Sequence, residues 1–337
     1  MNDTPKKKSL KKRIIFSVKI AVFVIVTAWI YKSLCSNWGE LSAYDWELKW
    51  GWLAASAGFY LAGLLAAGLF WWILLRKLGQ DARPFETLRA YFIGHLGKYV
   101  PGKAMVVVIR AGLIGSKRVN TGVAAASVFF ETLTMMACGS FISAVLLAFV
   151  LKLSIGIPVL GWDIDLRWGA LGLMLIAGGP TIPPVFRFLV RLAKVGSNDP
   201  DVQERLDRIG FGTLLIGWGC MTVCWLLLGL SLWAVLCAFG AGVANPWPYM
   251  PHYTATVALA MVAGFLSLIP GGIGPRDAIL GVLMTPYFMS IENLPIAPAA
   301  AAIASAALLR VVWLVAELAI SGVLYPCVKK KDCKQDC

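Results

Sequence analysis

Eight ionisable residues stand in stretches that are otherwise apolar and that could do chemistry together: Lys98, Lys103, Arg110, Arg276 and Arg310 against Glu131, Asp277 and Glu317. A charge at the centre of a bilayer costs about 2.5–3.5 kcal/mol on insertion scales, so such groups face a polar interior rather than lipid. Five basic groups against three acidic ones leave surplus positive charge, which suits an anionic ligand better than a cationic one. Lys103, Arg110 and Lys117 follow one another at intervals of seven residues. Seven residues make nearly two helical turns, so the three share one helix face, about 10 Å apart. The stripe has two readings: a path for an anion, or an interfacial helix laying its basic face on lipid phosphates.

Arg276 directly follows the run Pro270-Gly271-Gly272-Ile273-Gly274-Pro275. Proline suits the first turn of a helix, where unpaired N–H groups and the positive dipole end collect. Backbone donors, dipole and guanidinium together would hold a phosphate; the alternative is a tight turn that packs well. Asp277 is placed to neutralise Arg276 or a substrate amine. Arg310 and Glu317 are again seven apart and form either a structural ion-pair stripe or part of a cavity wall. Glu131, between Phe129-Phe130 and Thr132, is the best single candidate for a buried acid that pairs with an arginine or carries a proton. With Asp277 and Glu317 it makes up the expected charge-balancing or proton-coupling set. Lys98, Lys103, Arg110, Arg276 and Arg310 make up the expected substrate-binding set.

Other chemistry has less support. His95 has no His, Cys or carboxylate at metal-ligand spacing and His252 falls in a loop, so no metal and no cofactor are expected. No nucleophile motif, phosphate-cradling loop or paired-carboxylate signature occurs, and the chain is not expected to be an enzyme. Cys138, Cys220, Cys224 and Cys237 lie in apolar runs, where cysteine behaves as a small apolar side chain. Cys333 and Cys337 close a basic tail.

The elements that must position these groups are membrane helices. Of 337 residues, 59% are apolar and 15% charged, with a net charge of +13; mean hydropathy is +0.74. Such a chain cannot cover a water-exposed globule with polar groups. Six stretches are long enough to span the hydrocarbon core, at about 14–34, 50–75, 121–151, 168–190, 211–240 and 298–325. The fourth holds Gly178-Gly179-Pro180 and Pro183-Pro184 and should kink or end early. Two further stretches, 85–116 and 253–289, are broken in the middle. Their turns fall at Pro101-Gly102 and at Pro270-Gly271-Gly272, with Gly274 just beyond. Each reads as a re-entrant helical hairpin, tolerated at membrane depth only where protein or a wet cavity shields the broken backbone.

Sidedness follows from charge. The segments assigned to the cytoplasm hold 20 Lys/Arg, and the outer ones hold 3. The positive-inside rule then puts both termini in the cytoplasm of a multi-pass protein of the cell membrane. It also accounts for the net charge without a nucleic-acid partner. Lys19, Lys32 and Arg89 lie near element ends and can snorkel. Trp38, Trp46, Trp50, Trp52, Trp162, Trp168 and Trp247 mark an outer aromatic belt. The layout is an all-α polytopic protein with about six spans and two re-entrant hairpins of opposite sidedness, a four-plus-four inverted repeat of the kind used by transporters. Residues 1–13 and 326–337 are basic cytoplasmic tails flanking a single transmembrane domain, 14–325. Self-association stays open.

At this point the residues resemble a known family. GKYVPGKAMVVVIRAGLIG is similar to the first signature of the lysylphosphatidylglycerol synthase transmembrane, or flippase-like, family. There K-Y-[IL]-P-G-K is followed by an arginine near the end of the next half-helix. FFETL, with Glu131, resembles the family's acidic position, LIPGGIGPRDAIL its P-G-G-x-G signature, and Arg310 its arginine in the last span. Two departures stand out. Asp277 replaces the commoner Glu, and Ala104-Met105-Val106 stand where the aminoacyl-lipid branch has G-E. The resemblance implies a stand-alone membrane domain, without the soluble aminoacyltransferase domain, similar to flippases for polar or charged lipids. The expected function is translocation of a membrane lipid with an anionic or phosphate-containing head group. The alternatives are an accessory or catalytic part in lipid-linked glycan synthesis, as in some relatives, and secondary transport of a small anion.

Overall fold

The computed structural model describes residues 35, 38–100, 104–116, 118–147, 154–157, 162–165, 171–172, 174–176, 178–192, 204–267, 269–291 and 294–326. The first expected span, the turn residues Pro101 and Gly102, Lys103, Lys117, Cys333 and Cys337 lie outside these residues.

The fold is nearly all helical. Among the described residues, four helices are long and apolar enough to cross a membrane: α1 (Trp50–Lys77), α4 (Thr121–Val145), α6 (Phe211–Ala238) and α9 (Pro298–Leu324). Between them lie α2 (Pro84–His95), α3 (Ala104–Ile114), α5 (Pro183–Leu192), α7 (Met250–Leu266) and α8 (Pro275–Met289). These spans match four of the six expected ones to within a few residues. The stretch 168–190 is not one helix among its described residues. A 3-10 turn at Gly179–Thr181 precedes α5, because Pro180, Pro183 and Pro184 remove backbone donors and Gly178-Gly179 adds slack. Two short antiparallel strands, β1 (Ser154–Ile157) and β2 (Trp162–Asp165), pair with Ser154 opposite Asp165. His252 is also corrected: it stands in the first turn of α7, which Pro251 starts earlier than expected.

Helix ends follow local chemistry. Asn120 caps α4, its side chain accepting from Gly122 N at 2.8 Å and Val123 N at 3.2 Å. Asp277 reaches back from the first turn of α8 to accept from Gly274 N at 3.1 Å, the acidic half of a capping box.

The core is built on the α1–α6 contact. Gly63 lets α1 approach the backbone carbonyl of Cys224, and a Cβ there would sit 3.2 Å from that oxygen. Ser56 and Ser231 each donate to the other's carbonyl, at 2.8 and 3.0 Å. Small residues and crossed hydroxyl bonds are what joins helices in lipid, where apolar burial gives no driving force. Trp313 of α9 adds a bond to Ser231 Oγ at 2.9 Å.

Around this pair the remaining helices pack in a balanced pattern. The helix–helix contacts α1–α2, α3–α4, α2–α9, α1–α4 and α4–α6 have counterparts α6–α7, α8–α9, α7–α4, α6–α9 and α9–α1. Exchanging α1–α4 with α6–α9 leaves the contact pattern unchanged.

Both expected hairpins are pairs of short helices packed together. In the first, α2 continues as a 3-10 turn at Leu96–Tyr99 and packs on α3. Gly97 is required there, since a Cβ would lie 2.8 Å from Val106 N. In the second, α7 and α8 are joined through Pro270–Gly272, and Gly271, Gly272 and Gly274 have φ of 62°, 64° and 98°. Only glycine takes up such backbone without penalty. The two pairs meet where the 3-10 turn Leu96–Tyr99 touches Pro270–Gly272, the ring of Tyr99 packing on Gly271.

Candidate functional site

Beside that meeting point is a cavity of about 270 Å³, walled by α2, α3, α4, α7, α8 and the break of the second hairpin. Most of its lining is apolar, including Val106, Val107, Phe129, Met135, Met261 and Phe265. Lys98, Arg110, Glu131, Gly271, Gly272 and Arg276, all singled out from the sequence, line it too. Asp277, Arg310 and Glu317 do not line it: Glu317 pairs with the lining residue Lys98, while Arg310 pairs with Asp277 and reaches the carbonyl of the lining residue Gly271. Gly274 is the N-cap of α8, and Pro270 opens the 3-10 turn before it. Lys103 lies outside the described residues.

Three ion pairs take up the three carboxylates. The first joins α3 to α4: Arg110 Nη1 donates to Glu131 Oε2 at 2.8 Å. Both side chains are almost fully buried, at 3% and 2% exposure. Tyr91 and Thr132 donate to the same carboxylate at 3.2 and 3.3 Å. The guanidinium lies 3.8 Å above the Tyr91 ring. The stripe residue that is described therefore points inward to an acid rather than outward to lipid phosphates.

The second pair joins the first hairpin to α9. Lys98 Nζ donates to Glu317 Oε1 at 2.5 Å, and Tyr60 OH donates to the same oxygen. His95 Nε2 stands 3.7 Å from it. The third pair fixes the second hairpin. Arg310 Nη2 donates to both oxygens of Asp277 at 2.8 Å, and Nε adds a bond at 3.2 Å. Arg310 Nη1 also reaches the carbonyl of Gly271 at 3.5 Å. Arg310 and Glu317 thus do not pair with each other, and Asp277 is engaged by Arg310 rather than by its neighbour Arg276.

Arg276 is what remains. It is 7% exposed and lines the cavity, yet no carboxylate comes within 4 Å of it among the described residues. Its guanidinium rests on the face of Trp313 at 4.4 Å. Trp313 in turn stacks on Tyr60, at 4.3 Å and 12°. Among the described residues of the site, four cations against three carboxylates leave one net positive charge, and the geometry puts it on Arg276. A guanidinium offers five N–H donors in a planar fork, matched to phosphate or carboxylate oxygens. Each of the three site carboxylates is held by a cation.

Tyr60, Tyr91, His95, Tyr99 and Trp313 were not singled out as site residues from the sequence. Most are aromatic side chains in apolar helices and read as core. One signal was present: Tyr91, His95 and Lys98 fall at i, i+4 and i+7, one face of a helix.

The sequence model of the lysylphosphatidylglycerol synthase TM region matches residues 15–320, and the protein belongs to this family. No match was found among curated proteins.

Proposed function

We propose that this member of the family moves a lipid with an anionic, phosphate-containing head group across the membrane, and that Arg276 is the group on which the phosphate rests. The observation that carries the reading is the Arg276 guanidinium in a largely apolar cavity, without a carboxylate partner among the described residues. An apolar wall suits the lipid's glycerol and acyl portion, and a single desolvated cation gives charge selectivity at low dielectric. Lys98, Arg110 and Arg310 assist by holding the acids away from Arg276, with Glu131, Asp277 and Glu317 balancing charge. Lys103 would add a further cation at the first turn.

The balanced helix contacts support an inverted four-plus-four repeat, with the two hairpins re-entering from opposite faces and their breaks meeting inside. Broken backbone at that depth needs protein around it, and the packing of Tyr99 on Gly271 supplies some. The asymmetry of Lys and Arg along the chain supports both termini in the cytoplasm of the cell membrane. The protein acts as a carrier rather than an enzyme.

The experiment is transbilayer movement of fluorescently labelled phosphatidylglycerol in reconstituted vesicles, beside a labelled neutral glycolipid. Wild type moves the first faster than the second, and Arg276→Gln reduces the first to the rate of protein-free vesicles. Equal rates for wild type and Arg276→Gln would overturn the assignment.

A further inference from the structure

His95 ties two of the ion pairs together. It is the last residue of α2 and lines the cavity. Its Nδ1 faces Arg110 Nη2 at 3.4 Å. Its Nε2 faces Tyr60 OH at 3.4 Å and Glu317 Oε1 at 3.7 Å. The ring is stacked on Tyr91 at 21° between planes, which fixes its orientation. A guanidinium has only donors, so Nδ1 must present its lone pair to Arg110, and the proton of the neutral ring sits on Nε2. The ionisable groups around the imidazole are Tyr60 from α1, Tyr91 from α2, Lys98 from the 3-10 turn, Arg110 from α3, Glu131 beyond it from α4, and Glu317 from α9.

We infer that His95 is the proton site of this cavity, and that its protonation and the binding of an anionic head group at Arg276 favour each other. This rests on the translocase reading and deepens it by naming the co-transported ion. A proton from water reaching the cavity would bind Nδ1. The new N–H would then face the N–H of Arg110, and the imidazolium would compete with Lys98 for Glu317. The contact to Arg110 breaks, Lys98 loses part of its partner, and the cavity that Arg276 also lines gains one positive charge. An anion at Arg276 is attracted by that charge. By reciprocity the bound anion raises the proton occupancy of His95. The product of one cycle is an anion and a proton moved together, with charge conserved.

The chain has two histidines, so nitrogen NMR on ¹⁵N-histidine protein in nanodiscs can follow both, with His252→Gln assigning the signals. The same nanodiscs serve for binding of short-chain phosphatidylglycerol between pH 6 and pH 8. Wild type is expected to bind about tenfold more tightly at pH 6 than at pH 8, and adding the lipid moves the His95 signals toward imidazolium. His95→Gln is expected to show an affinity that is flat over this range, below that of wild type at pH 6. Arg276-dependent binding with the same pH slope in His95→Gln, or a His95 signal that the lipid leaves unmoved, overturns the inference alone. No Arg276-dependent binding at any pH overturns the translocase reading, and this inference with it.

Discussion

The two hairpins solve the same problem in different ways. Each brings cations to a backbone break inside the helix bundle. In the first, the two described cations that line the cavity are matched from outside the hairpin: Arg110 by Glu131 on α4 and Lys98 by Glu317 on α9. In the second, the acid is the cation's own neighbour in sequence, and it is turned away. Asp277 caps Gly274 and binds Arg310, so Arg276 keeps its charge and leans on an aromatic face. The first hairpin spends its ion pairs on holding helices together. The second leaves one cation unmatched. The difference separates an arginine that fastens helices from the one proposed to hold the ligand, although both are buried.

That separation predicts opposite mutant behaviour. Arg110→Gln leaves Glu131 buried without its partner, and a broken buried pair costs about 3–5 kcal/mol. A large fall in apparent melting temperature in detergent is expected, and the double variant Arg110→Gln/Glu131→Gln should recover much of it. If the single and double variants melt together, the pair is not what fastens α3 to α4. Arg276→Gln strands no carboxylate. Its stability should change by no more than the cation–π contact, about 0.5–2 kcal/mol, while movement of labelled phosphatidylglycerol falls about a hundredfold, equivalent to about 2.7 kcal/mol in the barrier. A variant that instead melts as early as Arg110→Gln would erase the distinction between the hairpins.

The breaks themselves differ as well. Gly97 in the first is a matter of space and Gly271 in the second a matter of backbone angle. Gly97→Ala would press a methyl against Val106 N, an overpacking cost of about 1–3 kcal/mol. Gly271→Ala has to hold φ near +62°, at about 1–2 kcal/mol, with the Tyr99 ring 3.2 Å from the new methyl. Gly97→Ser should therefore be worse than Gly97→Ala, whereas Gly271→Asn should be milder than Gly271→Ala, since asparagine tolerates the left-handed region. Chemical denaturation of the four variants gives the order directly.

How far the sequence foretold this depends on what each residue answers to. The four long helices were legible because length and hydropathy decide them, and so was the break at Pro270-Gly271-Gly272, because a Pro-Gly run leaves the backbone few choices. That Glu131 could be a buried acid paired with an arginine was legible for a related reason, although which arginine was not. Glu131 stands alone in an apolar span, and a buried charge needs an opposite one. The other pairings were not. Arg310 and Glu317 share a helix face at seven residues' separation, which suggested one stripe, but each is drawn to a different hairpin. Asp277 follows Arg276 in sequence, yet successive residues of a helix point about 100° apart, so adjacency told against the pairing rather than for it. The part of Tyr60 and Trp313 depends wholly on how α1 and α9 cross, and nothing local in either helix records that.

The smallest effect concerns what keeps Asp277 turned away. Arg310 grips it through a bidentate fork and a third bond, while Nη1 reaches Gly271. Arg310→Lys keeps the charge but replaces the fork with a single flexible point contact. The pair is about a fifth exposed, 23% and 22%, so water screens part of the loss and stability should fall by only about 1 kcal/mol. The consequence for the site is indirect. A loosened Asp277 can turn toward Arg276 and compete with the incoming phosphate, so lipid movement should drop about three- to fivefold, much less than in Arg276→Gln. Adding Asp277→Asn removes the competing charge and should restore the rate while leaving stability no better. A rate that Asp277→Asn fails to restore would mean that Arg310 serves the lipid itself, and the cavity would then hold two ligand cations instead of one.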